Sequence, residues 1–125
     1  MNTDILIKSK LFSAYPNEEL DINPGRFGKK LGEFVSNALK ENNIETADLY
    51  PTDYCYELRI DQYEFKVYIL TGNIDGTDNE FLISIEPKKE YIRKWFRKIS
   101  TVDIIMKIQK TINDACKDHP DIEVL

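Results

Sequence analysis

Tyr54 to Leu70, YCYELRIDQYEFKVYIL, is the stretch on which the fold turns. Two alternating runs flank Asp61 and Gln62. A two-residue turn there pairs Ile60 with Tyr63, Leu58 with Phe65, Tyr56 with Val67 and Tyr54 with Ile69. In that register all of these side chains share one apolar face. The opposite face sets Arg59 against Glu64 and Glu57 against Lys66, complementary pairs contributing about 0.2 to 1 kcal/mol each, and it carries Tyr68 beside Cys55. Asp-Gln is not a favoured pair at primed turns, so a looser turn of the same parity also fits.

Working outward, Thr71 to Asn79 reads as a loop bending at Asp75-Gly76, and Phe81, Ile83 and Ile85 alternate with Leu82, Ser84 and Glu86 as a returning strand that Pro87 ends. These three strands form a meander. Ile5 to Phe12 is an imperfectly alternating first strand, and Tyr15 to Ile22, with Pro16, Glu18, Glu19 and Asp21, is a loop of solvated charge. Asn23 and Pro24 stand as N-cap and first residue of a helix whose stripe is Phe27, Leu31, Phe34, Val35, Ala38 and Leu39. Gly28 and Gly32 each weaken that helix by up to ~1 kcal/mol relative to alanine, which close approach of the sheet would compensate. A second helix, opened by Ser100 and Asp103 in capping-box positions, carries Ile105, Ile108, Ile112, Ala115 and Cys116 and ends near Asp118 before Pro120. Asp121 to Leu125 is a short edge strand or a tail. This order describes one α+β domain over residues 1–125: an antiparallel sheet, a meander of three or four strands plus the N-terminal strand, with helices packed on one face.

Lys88 to Lys98, KKEYIRKWFRK, holds six basic residues against Glu90, net +5. With −5 for the whole chain, the other 114 residues carry −10. Tyr91, Ile92, Trp95, Phe96 and Ile99 fall at helical spacing, so the segment reads as a short amphipathic helix. Its bland role is to seal the core while the cations stay in water. Its functional role is a docking patch for an acidic partner, made by Lys88, Lys89, Arg93, Lys94, Trp95, Arg97 and Lys98, with Tyr68 as a further aromatic anchor.

Chemistry is thin elsewhere. His119 is the only histidine, and with Cys55 and Cys116 it gives no zinc spacing; a Cys116/His119 dyad has no visible orienting group. The residues Asp75 to Glu80, DGTDNE, lack calcium-loop spacing, and Gly25, Gly28 and Gly32 with Arg26, Lys29 and Lys30 give only a faint phosphate signal at a helix start. No catalytic residue, metal ligand or cofactor is assigned. The pI near 4.9 argues against general nucleic-acid binding. No apolar run approaches the ~20 residues of a membrane span, and two distant cysteines suit a reducing compartment. A cytoplasmic monomer is therefore expected.

The signposts NPGRFGKKL (Asn23 to Leu31), YPTDYCYELRI (Tyr50 to Ile60), TGN (Thr71 to Asn73) and IEPKKEYIRKWFRKI (Ile85 to Ile99), in this order, resemble a family of small bacterial proteins of unassigned activity. The resemblance implies a bacterial cytoplasmic origin and no site residue. The expected function is non-catalytic binding of a protein partner, with an immunity-like inhibitor as the favoured form. Alternatives are a secretion chaperone, RNA or polyanion binding through residues 88–98, and a small enzyme with a carboxylate-based or phosphate-binding site.

Overall fold

Alternate residues turn inward along β1, Ile5–Ser9, in which Ile5, Ile7 and Ser9 are buried while Leu6 and Lys8 are exposed. The computed structural model, which describes residues 1–125, continues with a single 3-10 turn at Glu18–Leu20 and helix α1, Lys29–Glu41. Strands β2 (Tyr50–Pro51), β3 (Tyr56–Ile60), β4 (Val67–Asn73) and β5 (Glu80–Glu86) follow. A hairpin of β6 (Tyr91–Lys94) and β7 (Arg97–Ser100), helix α2 (Val102–Asp118) and β8 (Ile122–Val124) complete the chain. The main sheet has six strands in the order β2-β3-β4-β5-β1-β8, every neighbour antiparallel.

The α+β class and the meander hold, and the sheet is larger than expected. β1 is an interior strand between β5 and β8, so the last residues form an edge strand and do not trail off. The inward residues of β1, β3, β4 and β5 meet Leu31, Val35 and Leu39 of α1 and Ile105, Ile108 and Ile112 of α2 in one core. Both helices thus cover one face. The other face, bearing Leu6, Tyr68, Leu70 and Leu82, is uncovered.

The parity read from Tyr54 to Leu70 is right, and its register is not. Ile60 pairs with Val67, Leu58 with Ile69 and Tyr56 with Thr71, a slip of four residues along β4 from the expected pairing. Because four is even, Tyr56, Leu58, Ile60, Phe65, Val67 and Ile69 are all still buried. The connection is six residues, 61–66, in place of an Asp61-Gln62 turn. Burial of Phe65 and packing of Tyr63 against the core hold it. Arg59 now faces Tyr68 and bonds Asp61 through Nε at 2.9 Å, so the expected pairs of Arg59 with Glu64 and Glu57 with Lys66 do not form. Tyr54 lies outside β3 and is exposed, contrary to its expected place on the apolar face.

Helix α1 begins five residues after the expected Pro24. The segment from Asn23 to Gly28 is instead an irregular entry clamped by buried Asn73, whose Oδ1 accepts from the Phe27 amide (2.9 Å) and whose Nδ2 donates to the Gly25 and Thr77 carbonyls (3.0 and 2.8 Å). Glu18 caps the helix from a distance: its Oε2 accepts from the amides of Gly28 (2.8 Å) and Lys29 (3.2 Å), and its Oε1 accepts from the Tyr15 amide (3.0 Å). A carboxylate there satisfies first-turn donors and complements the helix dipole. Glu18 is accordingly buried, not solvated loop charge. The expected close approach of helix and sheet falls on Gly28 and Gly32, where an added Cβ would lie 2.3 Å from the Thr71 carbonyl oxygen and 2.7 Å from Leu49 Cδ1, respectively. At α2 the N-cap position is Thr101, not Ser100, and its hydroxyl donates to the Lys89 carbonyl, tying the helix start to the hairpin base.

Candidate functional site

The basic segment is not a helix. It is the β6–β7 hairpin, with Ile92 opposite Ile99, Arg93 opposite Lys98 and Lys94 opposite Arg97 across a two-residue turn of Trp95 and Phe96. Helical spacing alone did not exclude this; by residue class, though not by residue, the segment Ile92 to Ile99, IRKWFRKI, is symmetric about its centre. That mirror symmetry places like residues opposite each other in a ribbon and is the signal that identifies the hairpin. Ile99 is buried in the core and Ile92 packs against it, while the Thr101 amide bonds the Glu90 carbonyl at 2.9 Å. The base is therefore fixed, and everything from Arg93 to Lys98 is exposed.

At the apex Trp95 is 88% exposed and Phe96 fully so. Phe96, absent from the sequence-derived set, is the most exposed large apolar residue of the chain. Trp95 has a φ of 59°, a left-handed conformation that is costly for a side chain of its size. Directly below the apex, Lys94 and Arg97 stand on one side of the ribbon and Arg93 and Lys98 on the other, each pair bringing like charges opposite, which destabilises a strand pair. Relief inside the protein is partial. Arg97 reaches Glu64 Oε1 at 3.2 Å, Lys94 donates to the Glu64 carbonyl at 3.1 Å, and Lys98 Nζ sits 4.1 Å from the Tyr91 ring centroid. Arg93 has no carboxylate within ion-pair reach.

The remaining expected residues divide. Tyr68 joins the hairpin: it lines, with Arg93, Lys94, Ile92 and Pro87, a shallow cleft of about 440 Å³ between the uncovered sheet face and the ribbon. Lys89 is exposed at the hairpin base. Lys88 is engaged elsewhere, bonded through Nζ to Asp4, to Thr3 Oγ1 (3.1 Å) and to Ser84 Oγ (2.9 Å). Burial alone would raise the Asp4 pKa, but hydrogen bonds from Lys88 and Ser84 and the Lys88 charge outweigh it and hold the carboxyl below its usual value. Of the expected docking residues, Lys88 is thus tied to side chains just before β1 and in β5, while Phe96 adds an exposed ring beside Trp95.

Other concavities lack convergent chemistry. The largest, about 820 Å³, is an open groove between α2 and the β1–β8 edge, lined by Met106, Lys107, Lys110 and Leu125 among others. The first amides of α1, where a phosphate reading was entertained, already hold the Glu18 carboxylate. Cys116 is sealed in the core, where burial pushes its thiol up to about 11, and His119 Nδ1 accepts from the Asp121 amide at 3.1 Å, so the two form no dyad. No group of three His, Cys, Asp or Glu side chains is placed to hold a metal ion, and no helix is long and apolar enough to cross a membrane. Comparison with protein-family models, with curated proteins and with solved structures finds no match to this chain, so the resemblance carried by its signposts rests on those residues alone.

Proposed function

We propose that this protein is a non-catalytic docking protein whose β6–β7 hairpin engages an acidic macromolecular surface. The observation that carries the reading is the apex, two large aromatic side chains 88% and 100% exposed above four cations, in a chain whose remaining surface is acidic. Such a cluster serves no folding purpose, since it buries nothing, opposes like charges and holds Trp95 in a strained turn. A contact that buries the rings and neutralises the cations offsets all three. An immunity-like inhibitor, the role favoured by the sequence, is the form of this reading in which the acidic surface belongs to a toxin.

The test compares the intact protein with W95N/F96S and with R93Q/K94Q/R97Q/K98Q in extracts of its own cells. The intact chain should be retained in one fraction, whether protein, nucleic acid or membrane, and both variants should be released. Retention unchanged by either variant refutes the docking role of the hairpin.

A further inference from the structure

We infer that the acidic surface is an anionic phospholipid bilayer, the hairpin standing end-on with Trp95 and Phe96 at the interface and Arg93, Lys94, Arg97 and Lys98 at the level of the headgroup phosphates. This assignment rests on the docking reading and names its partner.

Shape is the first reason. The apex is two residues wide, and two large aromatic rings bury about 150 to 250 Å² each, roughly half of the ~800 Å² that each partner contributes to a stable protein interface. A flat protein surface gains too little from it. A bilayer needs no matched area, because Trp and Phe partition to the interface and Lys and Arg are drawn to anionic headgroups. Charge placement is the second. The cations form two successive cross-strand pairs, one on each side of the ribbon and about 3.3 Å apart along it, so an end-on approach brings all four within side-chain reach of the headgroups, and each guanidinium can fork onto a phosphate. Phosphates between Arg93 and Lys98, and between Lys94 and Arg97, also relieve the like-charge pairs that the fold leaves opposed.

The acidic body does not forbid this. Three residues of strand at about 3.3 Å each hold the apex roughly 10 Å beyond the core-packed Ile92–Ile99 pair, and Glu64, ion-paired with Arg97, is the one carboxylate joined to the four cations. The same geometry disfavours RNA, whose flexible phosphates would track along the ribbon into the acidic body.

The chain contains its own reporter, since Trp95 is the only tryptophan and lies at the apex. Vesicles of phosphatidylcholine mixed with phosphatidylglycerol should shift its emission to the blue, and lipids brominated on the acyl chains should quench it. Phosphatidylcholine alone should bind at least tenfold more weakly. In vesicle sedimentation, W95N/F96S and R93Q/K98Q should each lose at least tenfold in partitioning, the second with a shallower salt dependence, while the thermal midpoints of both variants fall no lower than the parent's. No sedimentation with phosphatidylglycerol vesicles at low salt, or sedimentation indifferent to both variants, overturns the lipid assignment. An emission shift given by single-stranded RNA but not by vesicles overturns it too. If vesicles fail while a photo-cross-linker at position 96 captures a protein that the parent competes away, the lipid assignment falls and the docking reading stands. If apex variants alter neither, both fall.

Discussion

Replacing Gly28 by alanine places a Cβ 2.3 Å from the Thr71 carbonyl oxygen, 2.8 Å from its carbonyl carbon and 2.9 Å from Gly72 Cα. All three are backbone atoms of β4, an interior strand paired on both sides, so none can retreat without disturbing the ladder. The Thr71 hydroxyl also donates to the Gly28 carbonyl at 3.0 Å, and the Asn73 amide to the Phe27 carbonyl at 2.9 Å, so moving the helix start away breaks both bonds. The φ of Gly28, 176°, is extended backbone open to any residue; the effect is steric. Overpacking in a tight interior costs about 1 to 3 kcal/mol, and with two hydrogen bonds at about 1 kcal/mol each the loss should reach about 3 kcal/mol or more. At a urea m-value of ~1.5 kcal/mol/M this lowers the denaturation midpoint by about 2 M.

Two companion variants isolate the cause. Gly28 occupies the N-cap position, where alanine is poor and serine good, so a capping explanation expects Gly28→Ser to behave like the parent. The steric explanation expects serine to fail as alanine does. At Gly32 the added Cβ meets the flexible end of Leu49 at 2.7 Å and Thr71 Oγ1 at 3.1 Å. There the helical gain of about 1 kcal/mol from alanine opposes a side-chain adjustment of similar size. Gly32→Ala should lie within about 1 kcal/mol of the parent. A Gly28→Ala midpoint within experimental error of the parent, or full rescue by serine, refutes the reasoning.

Glu18→Gln should cost about 1 to 2 kcal/mol in urea unfolding, because a carboxamide can present its oxygen to Tyr15 or to the helix amides, but its NH₂ then faces the other donors. The Cys116 thiol, held at about 11 by burial against an ordinary value of 9.0, ionises more readily in the unfolded chain. Stability from this group is therefore complete below pH 9 and is lost as pH rises through 11, by about 3 kcal/mol at most. Denaturation midpoints measured across that window should show a steeper decline for the parent than for Cys116→Ala. Arg93→Glu converts the like-charge pair with Lys98 into an opposite one and should stabilise the hairpin by up to about 1 kcal/mol. Slower amide exchange along β6 and β7, together with weaker vesicle binding, would mark stability and docking as opposed demands on the same pair.

What could be read from the chain, and what could not, follows from which interactions depend on periodicity and which on distant partners. Alternation decided the faces of β3 and β4 because a side chain's face depends only on odd or even position, and a slip of four preserved it. Register itself depended on where Tyr63 and Phe65 would pack, and that depends on a core built from segments far apart in sequence. The start of α1 was misplaced for the same reason: Asn23-Pro24 is a valid local signal, but the capping carboxylate comes from Glu18, and entry is held by Asn73 from β4. Of the candidate site, its charge and its tryptophan were legible, and the ribbon that presents them was not.

The misreading of Lys88 to Lys98 shows how such a segment can be recognised. Spacings of three and four between Ile92, Trp95, Phe96 and Ile99 are compatible with a helix, yet a helix would have buried Trp95 and Phe96 on the same stripe as the isoleucines. In the hairpin, Ile92 and Ile99 form the only apolar cross-strand pair and reach the core, and the aromatic pair falls on the turn, where no inward direction exists. Here the class-symmetric run with an aromatic centre and cationic flanks forms a ribbon with its apolar centre in water. Trp95, at a φ of 59°, occupies a position where a glycine would be easier to fold, so the fold it closes does not explain the turn sequence, and the proposed docking role does.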